Sequence, residues 1–112
     1  MAEAEPFDHG VIGELREQIG AEAMRDILRR LTNNGGQLIP VIVDAGQPIG
    51  ERCDAAHSLK GACAVVGMSR ISALCQAIET AWRDGLNEQA EKLAADLPAR
   101  FTADRRQLET LF

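Results

Sequence analysis

Residues 54–67 read DAAHSLKGACAVVG, which places a lysine three residues and a glycine four residues after a histidine. On a helix turning about 100° per residue, Leu59, Ala55, Ala62 and Val66 fall within about 40° of the direction opposite His57. Gly50, Cys53, Gly61 and Ala64 fall within about 40° of His57 itself. The imidazole is therefore predicted to face water among small residues, within reach of a bulky electrophile. Lys60, one turn away, would neutralise an anion attached to the ring. Phosphoryl acceptance on a ring nitrogen fits that combination. Glycine costs a helix roughly 1 kcal/mol relative to alanine, so Gly61 calls for a reason other than helix stability.

Other chemistries fit these residues less well. Cys53 and His57 have metal-ligand spacing with Asp54 close by, but ligands from one helix do not close a zinc site. Ser58 lies about 100° from His57, and no nucleophile, base and orienting residue come together for hydrolysis. The chain has no G-x-x-x-x-G-K-[ST] loop and no kinase signature, so any phosphoryl donor is expected to be another protein rather than ATP. No carboxylate cluster accompanies His57. Magnesium is accordingly expected on the partner, with no cofactor on this chain. His9 stands alone near the N-terminus and reads as solvated. Arg29 with Arg30, and Arg105 with Arg106, read most simply as solvated helix faces.

The elements that must position His57 are helical throughout. Val11, Ile12, Leu15 and Ile19 predict a short first helix ending at Gly20. Met24, Ile27, Leu28 and Leu31 open a second, and Leu38, Val41, Ile42 and Ala45 continue its apolar face to Gly46. NNGG at 33–36 and Pro40 are breakers in its middle. A third helix over about 48–66 is predicted from Pro48 at its entrance and Gly67 at its end. The fourth runs from Ser69 to Asp84 with Ile71, Leu74, Cys75, Ile78 and Trp82 on one stripe. A fifth, capped by Asn87, buries Ala90, Leu93, Ala94, Leu97, Phe101, Leu108 and Leu111, with a kink or break expected near Pro98. Short connections imply antiparallel neighbours, hence an up-and-down bundle.

Composition narrows the setting. The 112 residues suit one domain over 1–112, and 46% apolar content argues against disorder. A net charge of -5 with no basic stripe argues against nucleic-acid binding. Three cysteines, Cys53, Cys63 and Cys75, without C-x-x-C spacing favour reduced thiols and a cytoplasmic location. Neither a signal-peptide pattern nor a run of eighteen apolar residues is present, so no membrane span is expected.

The stretch AHSLKGACAVVGMSRISALCQAIE resembles the signature of histidine-containing phosphotransfer (HPt) domains. Ala56, His57, Leu59, Lys60, Gly61, Gly67, Leu74, Cys75, Ile78 and Glu79 stand where that pattern expects them. The resemblance implies an all-α, antiparallel four-helix bundle with a short additional N-terminal helix over one end, acting as a monomeric phosphocarrier in a two-component phosphorelay. It implies His57 as the phosphorylated residue, Lys60 beside the phosphoryl group and Gly61 leaving room for the incoming partner. Glu79 would reach one ring nitrogen and leave the other free to attack. Response-regulator receiver domains, and a hybrid sensor kinase, are the implied partners. Docking in the family uses apolar residues beside the histidine, which makes Ile12, Leu15, Leu28 and Ala64 candidates, although each of the first three reads equally well as core. NNGG departs from the uninterrupted run more usual in the family. Two other readings are open: a helical adaptor that binds a partner through the His57 face without phosphorylation, and the detached phosphotransfer module of a larger sensor kinase.

Overall fold

Asp8 opens the first helix, its Oδ1 accepting from the backbone N–H of Gly10 at 3.1 Å and of Val11 at 3.2 Å. The computed structural model describes residues 5–112, so the first four residues of the domain expected over 1–112 lie outside the described residues. Helix α1 spans His9–Val43, α2 Ile49–Val65, α3 Ser69–Arg83 and α4 Asn87–Glu109. Within α1, Gly20 has φ 81° and ψ 168°, a left-handed φ that side chains disfavour. The chain turns there, and residues 9–19 form the short N-terminal helix that the sequence predicts.

Connections over 44–48, 66–68 and 84–86 are short, which makes successive helices antiparallel. Helix α1 packs against α2 and α4, and α3 packs against the same two. The result is a closed ring of four, with the α2/α3 seam across the bundle from the α1/α4 seam. Met24, Ile42, Leu59, Ile71, Ile78, Leu97 and Leu108 are fully buried at its centre, on the stripes that helical periodicity picks out.

Three local expectations are corrected. Neither residues 33–36 nor Pro40 breaks α1, which runs through both, and Gly35 lies against Phe101 of α4. A Cβ placed there would sit 2.5 Å from Cζ of Phe101. Glycine at 35 is thus required by packing between helices and does not end one. Likewise Pro98 lies inside an unbroken α4. Proline removes one intrahelical hydrogen bond, but its ring is exposed while Leu97 and Phe101 on either side anchor the helix in the core. Finally, Asn87 is the first residue of α4 rather than its cap. Leu86 holds the cap position and makes no side-chain cap bond.

The N-terminal helix is fastened over the α2–α3 turn. Asp8 N donates to Gly67 O at 2.8 Å, and Arg70 N donates to Pro6 O at 3.3 Å. Gly67, at φ 79°, ends α2 as predicted, and a Cβ on it would lie 2.8 Å from Cγ1 of Ile12. Two arginine pairs, each with one buried partner, tie the bundle elsewhere. Arg52 of α2 donates through Nε to Ile42 O at 2.9 Å, forks onto Glu91 of α4, and lies 4.5 Å from the ring centroid of Trp82. Arg70 of α3 forks onto the buried Asp104 of α4, with Nε 3.1 Å from Oδ2.

Candidate functional site

Helix α2 holds His57 outward because Ala55, Ala56, Leu59 and Cys63 take the buried side of the same turns. Its imidazole is 63% exposed. Nothing lies within 4 Å of a Cβ built on Gly61, and both Gly61 and Ala64 are exposed beside the ring. The small-residue surface predicted around His57 is therefore present.

Beneath the ring lies Glu79, on α3, whose side chain is only 2% exposed. Nδ1 of His57 is 3.2 Å from Oε2 and 3.4 Å from Oε1 of this carboxylate. Lys60 Nζ lies 3.3 Å from Oε1 and donates to Gln76 Oε1 at 2.8 Å. Arg83, one turn along α3, donates through Nη2 to Oε2 at 2.6 Å. Burial pushes the Glu79 carboxyl up, but hydrogen bonds from His57 and Lys60 and the charges of Lys60 and Arg83 outweigh it, so the group is held below the ordinary carboxylate value. Glu79 is ionised at neutral pH.

An ionised carboxylate only accepts hydrogen bonds, so the nitrogen facing it must carry the proton. In the neutral imidazole Nδ1–H then points at Glu79, and Nε2 keeps its lone pair on the solvent side. The arrangement fixes both the tautomer and the ring plane. It presents one unprotonated nitrogen to an incoming electrophile.

Cys53 shares the His57 face one turn back, and its thiol is pushed up by burial and by the charge of Glu79. A raised thiol disfavours the thiolate that ligation or attack would need. Among the described residues no group of three His, Cys, Asp or Glu side chains is placed to hold a metal ion.

The four residues expected at the site, His57, Lys60, Gly61 and Glu79, come together. Of the docking candidates, Ala64 joins them, exposed beside the ring, while two others are core. Ile12 and Leu28 are each 3% exposed. Ile12 is wedged against Gly67, and Leu28 lies in the α1/α4 seam, across the bundle from the histidine. Leu15 is half-buried and Ala64 exposed. Sequence reasoning missed Arg83 and Gln76. For Arg83 the available signal was its i+4 spacing from Glu79; for Gln76 there was none, because its contact crosses from α3 to α2.

Four antiparallel helices carry a solvent-facing histidine backed by a buried carboxylate. The family model described as Hpt domain matches residues 12–111, and the chain belongs to that family. Its members act in histidine phosphotransfer within phosphorelays, where they interact with receiver domains and kinases. No curated protein and no solved structure matches the chain. Among the described residues no helix is long and apolar enough to cross a membrane.

Proposed function

We propose that this chain is a monomeric, cytoplasmic phosphocarrier that accepts a phosphoryl group on His57 from a receiver-domain aspartate, or from a kinase, and passes it to a response-regulator receiver. The observation that carries the reading is the contact between exposed His57 Nδ1 and buried Glu79. Nε2 attacks the aspartyl phosphate in line, forming a P–N bond as the P–O bond to the aspartate breaks and its carboxylate leaves. The Nδ1 proton stays on the ring, where Glu79 balances the positive charge that develops. Transfer onward reverses these steps on a second receiver. Magnesium, supplied by the acidic pocket of the receiver, would neutralise the phosphoryl oxygens during both transfers.

Lys60 is held by Glu79 and Gln76 in the resting state, within one helical turn of the ring. Its flexible stem allows the ammonium to swing toward a phosphoryl group on Nε2. Gly61 and Ala64 leave the approach open. Val65, 64% exposed on the next turns of the same helix, offers an apolar contact to the docking receiver.

A non-enzymatic adaptor would use the same surface but has no need of a buried charge aimed at a ring nitrogen. Burying a carboxylate is costly unless it is paired, and here the pairing is with the proposed nucleophile and its neighbours. The test is incubation with a panel of labelled, phosphorylated receivers. Label on this chain that is acid-labile and base-stable supports phosphohistidine; label that survives acid, or no transfer from any receiver, contradicts it.

A further inference from the structure

On the α1/α4 seam, across the bundle from His57, two adjoining depressions of about 410 and 300 Å³ share Thr32 and Arg105 on their walls. Together they run beside α1 from Arg25 to Pro40, about 22 Å of continuous helix. Three arginines, Arg25, Arg29 and Arg105, and one glutamate, Glu109, line the first, in a chain whose net charge is -5. Ile39, half-buried, and the exposed Pro40 and Pro98 give the second its accessible apolar floor, with Leu28 and Phe101 lying beneath the groove as core residues. We propose that this groove is a second docking surface that takes an acidic amphipathic helix of a partner protein.

The arginines are not used up by the fold. Arg29 pairs with Asp26 at 3.3 Å, but both side chains are well exposed, a kind of pair that stabilises little. Arg25 makes one long bond, 3.3 Å, to Phe112 O. Arg105 bonds Glu109 within its own helix. Each guanidinium retains donors for a carboxylate. An apolar floor flanked by cations is the complement of a helix with an apolar stripe and acidic edges.

Gly36 points the same way. Glycine disfavours a helix interior relative to alanine, and unlike Gly35 this one meets nothing within 4 Å of where a Cβ would be. Packing inside the chain does not require it. A residue without a side chain in the groove wall lets a partner backbone come close. A small phosphorylated ligand would use the arginines but leave the apolar side chains of Ile39, Pro40 and Pro98 without a role. Occupancy of this seam leaves the His57 face open, so a partner held here and a receiver at His57 do not compete.

The test uses the full chain, 15N-labelled, and a synthetic amphipathic peptide of about 16 residues, four to five helical turns, with a leucine face flanked by glutamates. Binding with Kd below about 1 mM, and amide shifts confined to residues 25–40 and 98–109, is the expected result. Gly36→Leu should weaken it at least about tenfold while leaving phosphoryl acceptance unchanged. Arg29→Glu should do the same, and it decides the matter if Gly36→Leu lowers the thermal midpoint. Four results would overturn the proposal: no binding, equal binding of a lysine-for-glutamate peptide, equal shifts from inorganic phosphate, or shifts gathered around His57. Loss of His57 phosphorylation with peptide binding intact would count against the phosphocarrier reading and not against the groove.

Discussion

The carboxylate of Glu79 lies 3.2 Å from Nδ1 of His57, and the same oxygen, Oε2, takes a 2.6 Å bond from Arg83. One buried anion therefore orients the exposed ring while being shared with a cation on its own helix. Three of the predictions below come from that sharing.

Glu79→Gln keeps a hydrogen-bond acceptor for Nδ1–H but removes the charge that balances an imidazolium-like transition state. Phosphoryl acceptance should fall by about ten- to a hundredfold, the usual range for groups that orient a functional histidine. Glu79→Ala, which also frees the ring to rotate, should fall further. Initial rates of label incorporation measure both, and equal rates in Gln and Ala variants would mean that orientation contributes nothing.

Arg83→Gln withdraws a cation from Glu79 and leaves more of the carboxylate's charge to His57. It also removes a positive charge from the neighbourhood of the imidazolium. Both changes favour the positive charge that develops on the ring during attack, so initial rates of label incorporation should rise above the parent's. Unchanged or lower rates would show that Arg83 does not act through the carboxylate.

Glu79 is depressed from its ordinary value of 4.5, and Glu91, hydrogen-bonded by Arg52, is depressed as well. A carboxyl whose folded pKa is lowered contributes stability that is fully present above its unfolded value and lost as pH falls through the folded one. The thermal midpoint should hold above about pH 5 and drop progressively below 4.5. Glu79→Gln should shallow that drop. The same slope in the variant would place the acid sensitivity elsewhere.

Neighbouring glycines in α1 should respond in opposite directions. Gly35→Ala puts a Cβ 2.5 Å from the Phe101 ring, and overpacking of this kind costs about 1–3 kcal/mol, more than the helix gains from alanine. Gly36→Ala meets nothing and should stabilise by up to about 1 kcal/mol. Urea unfolding of the two variants gives the comparison. Equal effects would mean that α4 does not lie against Gly35.

Much of the site was legible because it is written along single helices. His57, Lys60, Gly61 and Ala64 share one face of α2, and a wheel places them without knowledge of any partner helix. The turn at Gly20 and the end of α2 at Gly67 were legible too, since glycine after an apolar stripe has a local cause. What escaped depends on distance between helices. Gly35 reads as a breaker until Phe101 of α4 is seen against it, and Ile12 reads equally well as docking contact or core until Gly67 is seen against it. Arg52 lies about 140° around the wheel from His57, on the core side, but an arginine there is not counted as core unless a carbonyl, a carboxylate and an indole ring are known to surround it. The burial of Glu79 is of the same kind, set by α2 lying across α3.

The central claim is that His57, and not His9, carries the phosphoryl group. The most direct measurement incubates the parent, His57→Gln and His9→Gln with one labelled phosphoreceiver and follows label on each chain, with circular dichroism as the check on folding. His57 is exposed and contributes little to packing, so all three chains should show the same helical spectrum. Label should accumulate on the parent and on His9→Gln at equal rates and be absent from His57→Gln. Label on a folded His57→Gln chain, or its loss from His9→Gln, would contradict the account.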